Sequence, residues 1–227
     1  MARTRNPETH AVRRDAFIDV AQRLILAQGY DSFSIQDVVE EVGASKGAFY
    51  HYFGSKADLL EALVERMADG VENAWTEVLT RPGLSAAQRL EGLFASTAQY
   101  KNARKELALA LLEAWLSDRN TILRERLREL VTRRMTPALV TILRQGLDDA
   151  DFTASDPDAT ARVIVALILG TQDQASHLFV ARQAKQIEYA EVERIFAAFT
   201  DALERILGVR PGSLSLTDPP TMQMWFG

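Results

Sequence analysis

Apolar residues recur along this chain at helical spacing from near the N-terminus to about residue 207, and no stretch alternates with the period of two that a half-buried strand requires. The pattern predicts an all-α protein. A first helix runs roughly from Thr9 to Gln28, with Val12, Ala16, Phe17, Val20, Ala21, Leu24 and Ile25 as its apolar positions, and Gly29 ends it. A short helix follows from Ile35 to Val42, its stripe made by Ile35, Val38, Val39 and Val42. Ser34 caps it with Asp37 three residues on, where a capping box usually has Glu or Gln, and Phe33 is placed to staple onto Val38. Gly43 suits the left-handed residue that closes such a helix, and Ser45 caps the next one, Lys46 to Phe53. The turn Gly43-Ala44-Ser45 is too short for antiparallel helices and suits the steep crossing of a helix-turn-helix unit.

Ser55 and Asp58 repeat the capping pattern and start a fourth helix at Lys56, which runs to about Thr80, where Arg81-Pro82-Gly83 breaks it. Further helical segments lie at about Ala86 to Lys101, Arg104 to Leu116, Asn120 to Leu147, Asp158 to Ala184 and Glu188 to Leu207, with Pro137 expected to kink the long one near Arg133. The expected organisation is a three-helix helix-turn-helix domain over residues 1–56, a larger helical effector-binding and dimerisation domain over 57–207, and a tail over 208–227. Pro211, Gly212, Pro219 and Pro220 predict an irregular tail, although its end, Met222 to Phe226, is apolar enough to dock on the body.

On the helix Lys46 to Phe53, an advance of about 100° per residue puts Phe49 and Phe53 together on the inward face. The opposite face is centred on Gly47 and His51, with Ala48 and Tyr52 on one flank and Lys46 and Tyr50 on the other. It carries small residues, hydrogen-bonding rings and one cation, and no carboxylate. A glycine inside a helix costs roughly 1 kcal/mol relative to alanine, so Gly47 makes sense where something approaches its backbone closely. DNA is such a partner. Lys46, Gly47, Ala48 and His51 are placed to reach base edges in a major groove, whereas Ser34, Ser45, Tyr50, Tyr52 and Lys56 are placed to hold phosphates. Taken singly, each of these residues has an ordinary reading as a cap or a packing group; it is their combination within a few tens of residues that points to DNA.

The stretch resembles the N-terminal domain of the tetracycline-repressor-like (TetR) family of bacterial transcription regulators. The resemblance runs from about Arg13 to Leu63 and is most specific in Gly43-Ala-Ser-Lys-Gly-Ala-Phe-Tyr-His-Tyr-Phe-Gly-Ser-Lys56, followed by Ala57-Asp58-Leu59-Leu60. Beyond it the family is carried only by the helical pattern. The resemblance implies a homodimer whose last two long helices form a four-helix bundle with the same pair of a second subunit.

Composition adjusts this picture in three ways. The 227 residues, 47% of them apolar, suffice for one or two domains with a real core. The net charge of −5 argues against binding nucleic acid by bulk charge. Bases and acids balance from Met1 to Lys56, seven of each, so the excess of acid lies entirely beyond the DNA end. The chain has no cysteine, no visible signal peptide and no apolar run approaching the ~20 residues a bilayer needs, which predicts a soluble cytoplasmic protein. Arg3 and Arg5, in a polar arm ahead of Pro7, are candidates for a minor-groove or phosphate contact, or belong to a frayed terminus.

In the body, Val163 to Gly170 is apolar on every side and needs cover on every side. With Val192, Ile195, Phe196, Phe199, Leu203 and Ile206 on the last helix it either forms the dimer bundle or fills the subunit's own core; Val163, Leu167, Gly170, Ile195, Phe196, Phe199 and Leu203 are the candidate dimer residues. Trp75, Phe94, Tyr100, Trp115 and Met135 are candidates to line an effector pocket, with Glu113, Gln172, Asp173 and His177 as the polar groups that would orient a ligand. An enzyme is disfavoured: the three histidines, His10, His51 and His177, are scattered, and no nucleophile elbow, His-Glu-x-x-His pattern or phosphate-binding glycine loop is present. No cofactor or metal is expected. The reading is a homodimeric, effector-responsive repressor on palindromic double-stranded DNA, and its rivals are a helical protein-interaction module and a small helical enzyme.

Overall fold

Why the first helix forms is plain from its buried residues. Phe17, Ile18, Val20, Ala21 and Ile25 all face inward on α1, Pro7–Gln28, and Gly29 leaves it with φ 80. The computed structural model describes residues 7–116, 121–153 and 155–227. Two expectations for α1 change. It begins two residues earlier, with Pro7 in its first turn, and Val12 is 69% exposed, so the inward stripe starts later than the periodicity suggested. Ile18, which the expected stripe omitted, has no exposed surface.

A 3-10 turn, Tyr30–Ser32, leads into α2, Ile35–Val42. The capping box is present: Asp37 N–H donates to Ser34 Oγ at 3.3 Å, and Ser34 N–H donates to the Asp37 carboxylate at 2.7 Å. Those two bonds satisfy donors that a helix start otherwise leaves without partners. The bond from Ser34 N–H, and after it the one from the Ser34 hydroxyl, hold the Asp37 carboxyl below the usual carboxylate range. At the other end Gly43 adopts φ 69 and ψ 37, and Ala44 N–H reaches back to Val39 O at 2.8 Å. Then come α3, Lys46–Tyr52, and α4, Lys56–Thr80. Phe53 is extended and lies just past α3 instead of within it.

The remaining helices are α5, Ala86–Asn102; α6, Lys105–Leu116; α7, Thr121–Asp148; α8, Pro157–Gln183; α9, Tyr189–Leu207; and α10, Pro219–Phe226. No strand occurs among the described residues. The chain packs as two units, Met1–Met67 with Arg104–Leu127, and Ala68–Ala103 with Arg128–Gly227. These do not coincide with a division after residue 56, because α4 and α7 each contribute to both units and α6 joins the first. In that first unit α1 packs on α2 and α6, around Phe17, Phe33, Val38, Phe49, Phe53, Leu59 and Leu63. In the second, Leu90, Leu93, Leu139, Ile142, Leu143 and Ile164 form the centre of the core.

The tail departs from the irregular segment expected. Asp218 accepts from Thr221 N–H at 2.9 Å and caps α10, and Pro219 sits at the helix start, where a missing N–H costs nothing. Met222 and Phe226 are buried with Leu178 and Val192, and Arg182 Nε donates to Phe226 O at 3.0 Å. The link into α10 is held by Glu204, the one buried charged side chain among the described residues. Its carboxylate accepts from Gly212 N–H and Leu214 N–H, both at 2.9 Å, and those bonds hold its pKa below the ordinary range.

Helix α8 is only partly covered. Ile164, Val165, Leu169 and Leu178 are buried, whereas Val163 is 56% exposed and Ala166 and Gly170 face outward. By length and composition this helix also suits a membrane span, the one such helix among the described residues. Only part of that apolar character is spent on a buried stripe against α9 and the core residues of the second unit.

Candidate nucleic-acid interface

Helix α3 is short, seven residues, and both its ends are tied. Ala48 N–H donates to Ser45 Oγ at 3.1 Å at the start, and Phe53 N–H closes on Phe49 O at 3.0 Å at the end. Phe49, fully buried, anchors it edge-on against Phe17 at 5.7 Å between ring centroids. With that side fixed inward, Lys46, Gly47, Tyr50 and His51 are exposed together, and Ala48 and Tyr52 are half-buried on the flank. No carboxylate interrupts this face. Nearby acids are engaged elsewhere: Glu41 pairs with Arg23 at 2.8 Å and Asp58 with Arg126 at 2.9 Å. Lys46 has no ion-pair partner among the described residues.

Gly47 carries a specific message. A Cβ built there would find only Ser45 Oγ, at 3.8 Å, an ordinary contact. Among the described residues no neighbour requires glycine at this exposed helical position, and its low helix propensity is compatible with close approach by a partner.

The hydroxyls differ in what they can still do. Ser34 Oγ already accepts from Asp37 N–H and donates to the Asp37 carboxylate at 2.9 Å, which leaves it no proton for a phosphate. Ser45 Oγ accepts from Ala48 N–H and keeps its own proton to donate. Tyr50 is 55% exposed, its ring edge-on to Phe49 at 5.4 Å. Tyr52 turns inward instead, packed between His10 at 4.6 Å and Phe17 at 5.7 Å.

Lys56 is the clearest departure from expectation. Its ammonium donates to Tyr30 O at 2.5 Å and to Phe33 O, and lies over both rings, 4.5 Å from the Tyr30 centroid and 4.0 Å from that of Phe33. Burial pushes its pKa down, and Asp31 and Asp37 oppose that shift. A lysine placed at a helix start to grip a phosphate is therefore a clamp on the 3-10 turn, because two carbonyls left without helical partners lie within its reach. Arg3, Arg5 and the Glu113 side chain lie outside the described residues.

Of the candidate pocket residues, Trp75, Phe94 and Met135 lie in one core cluster of the second unit, and the others lie elsewhere. Trp75 is buried and donates from Nε1 to Thr97 Oγ1 at 2.8 Å; Phe94 packs on Phe199 at 5.9 Å; Met135 is core. The Tyr100 ring lies directly over Gly70, where a Cβ would collide with it. Trp115 packs with the core of the first unit. Gln172 and His177 are exposed, and Asp173 pairs with Arg128. The second unit does have an open groove of about 580 Å³, lined by Thr132, Arg133, Pro137, Val140, Arg144 and Arg162 among others, none of them on the expected list. At the start of α8, Asp156 caps the helix and Asp158 pairs with Arg144 at 2.9 Å.

Of the candidate dimer residues, Phe199 and Leu203 are core of their own subunit, and Phe196 is covered by the tail, 5.8 Å from Phe226. Ile195 packs in that same cluster, and Leu167 is half-buried. Val163 and Gly170 face outward, and Gly170 has open space where a Cβ would stand.

Comparison with known proteins places these features in context. A sequence model of the bacterial regulatory proteins of the tetR family matches residues 17–63. The HTH-type transcriptional repressor KstR2 of Mycolicibacterium smegmatis is 26% identical over 167 residues, which cover 73% of this chain and 78% of that protein. The HTH-type transcriptional regulator BetI of Escherichia coli K12 is 28% identical over 141 residues, 60% of this chain and 71% of the relative. Among solved structures, a protein of Syntrophomonas wolfei assigned to the TetR family aligns over 90% of this chain and all of its own, with a TM-score of 0.62 and 18% identity. A transcriptional regulator of Cytophaga hutchinsonii covers 86% of this chain and 96% of its own, with a TM-score of 0.57 and 15% identity. At those identities the two structures speak for the fold alone.

Proposed function

We propose that the chain, whose residues 17–63 match the tetR family of bacterial regulatory proteins, is a transcription regulator of that family that represses as a homodimer on a palindromic operator and is released by a small-molecule effector. The observation that carries the DNA reading is the exposed, carboxylate-free face of α3 around Gly47 and His51, held rigid by Phe49 and capped by Ser45. Each subunit lays α3 in a major groove. Lys46, Gly47, Ala48 and His51 meet base edges, and Ser45 and Tyr50 hold phosphates. Two-fold symmetry then sets two half-sites about 34–36 Å apart, or a multiple of that distance.

The dimer face is the outward stripe of α8, Val163, Ala166, Leu167, Gly170, Gln174 and His177, completed by exposed Ala197 and Ala198 on α9. Small residues on both helices permit close approach, and the uncovered apolar half of α8 supplies the driving force. The effector acts in the second unit, and release requires it to bind the DNA-incompetent state more tightly than the competent one. The site of action is the cytoplasm, where the operator lies.

Titration of palindromic duplexes by the full chain at several salt concentrations tests this reading. A sequence preference and a negative slope of log K against log salt are expected. Equal, weak and preference-free binding by the wild type and by a Tyr50→Ala, His51→Ala double variant would exclude it.

A further inference from the structure

We infer that His10 is a positioning residue for DNA reading, acting through His51; the inference rests on the proposed role of α3 as the helix that meets base edges. His10 sits one turn before Arg14 and two turns before Phe17 on α1, in register with the stripe that continues through Ala21. A purely structural stripe would carry an apolar side chain there. Instead the imidazole is on the stripe, while the apolar neighbour Val12 points to solvent, 69% exposed.

The ring of His10 is half-buried and meets two rings of α3. It lies 4.6 Å from Tyr52 at a tilt of 50°, and 5.7 Å from His51 at 79°, an edge-on contact. His51 is also edge-on to Tyr52, at 5.2 Å and 73°. Tyr52 is in turn held by Phe17. The three rings make a corner whose one exposed member is His51.

That corner matters because an imidazole presents a donor at one nitrogen and an acceptor at the other, so the base edge it favours depends on which way the ring is turned. A histidine standing alone on an exposed helix face would sample several rotamers and lose that freedom on binding. Edge-on contact from His10 and Tyr52 removes most of that freedom beforehand. His10 itself points its ring at the other two rings, which makes it a buttress and not a phosphate ligand.

The test uses the full chain with His10→Ala, His10→Phe, His51→Ala and the double variant His10→Ala, His51→Ala. Each is titrated on the preferred duplex and on duplexes altered one base pair at a time. His10→Ala should weaken the preferred duplex about two- to tenfold, the range for losing one ordered side chain, and should flatten discrimination at the base pairs that His51→Ala also flattens. Its effect should vanish in the His51→Ala background, and the salt slope should stay unchanged. His10→Phe keeps the ring and loses both nitrogens, so it should retain discrimination. Losses that are equal on every duplex with a salt slope reduced by about 0.9 per subunit, the mark of a phosphate contact, would overturn the inference. So would additivity with His51→Ala, or loss of discrimination in His10→Phe. A wild type without any sequence preference would instead remove the DNA reading itself, and the inference with it.

Discussion

Replacing Lys56 with methionine separates two roles that the same residue could play at the start of α4. Met keeps an unbranched apolar stem out to Cε, with sulfur in place of one methylene, and removes the ammonium. In the folded chain that ammonium donates to the Tyr30 and Phe33 carbonyls and lies over both rings. A hydrogen bond to a charged group contributes about 1.5–3 kcal/mol and a cation–π contact at a partly exposed site about 0.5–1 kcal/mol. Lys56 is half-buried, so the low ends apply, and the water that the ammonium gives up on folding offsets part of the sum. The net loss for Lys56→Met is then about 2–3 kcal/mol. With a urea dependence of about 1–3 kcal/mol per molar, the unfolding midpoint of the first unit should fall by roughly 1 M. The salt slope of DNA binding, read at a urea-free temperature where the variant is folded, should match that of the wild type. An unchanged midpoint with a slope lowered by about 0.9 per subunit would show the ammonium on a phosphate and refute the clamp.

Other perturbations follow from the same geometry. Ser45→Ala removes the cap of a seven-residue helix and should cost about 1 kcal/mol of stability, together with affinity for all duplexes alike, measured by urea unfolding and titration. The pKa of Glu204 is depressed by the Leu214 and then the Gly212 N–H bonds, so its contribution to stability is present above the unfolded value of about 4.3 and is lost as pH falls through the lower folded value. Glu204→Gln should therefore be less stable near neutrality and should lose less stability than the wild type on acidification, as urea midpoints across that range would report. Val163→Glu puts a charge on the outward stripe of α8 and should shift the sedimentation profile to monomer, with a larger loss on a palindrome than on a single half-site.

The helix-turn-helix was legible because its signals are local. Ser34, Asp37, Gly43 and Ser45 act on groups within four residues of themselves, and each bond expected of a cap is present. The same locality explains why α10 was open to recognition and missed: Asp218 before Pro219 is a cap and a first-turn proline, although two prolines together read as irregular chain. His10 had no signal of its own. Its partners lie some 40 residues onward on α3, so a lone histidine near the N-terminus looked like one of three scattered imidazoles.

What failed was the assignment of side chains to partners. Phe199 and Leu203 lie on a stripe broad enough to serve either the subunit's own core or a second copy, and periodicity reports only that the stripe is apolar. Trp115 and Trp75 were grouped by chemistry, yet they pack in different units. Glu204 gave no signal in the sequence, because the backbone donors it serves at Gly212 and Leu214 belong to the next segment.

Sequence alone determined α1 to α9, the caps at Ser34 and Ser45, the short turn between α2 and α3, and the absence of carboxylates on the reading face, since each depends on residue type and on neighbours within a turn or two. Tertiary structure decided which of those residues are free to meet DNA. It committed Lys56 and Ser34 to groups within the fold, set Tyr52 inward, left Lys46, Gly47, Tyr50 and His51 open, and brought His10 beside them. The physical reason is that a side chain's availability depends on what folding places within hydrogen-bonding or contact distance, and those partners come from segments whose spacing along the chain carries no record of the meeting.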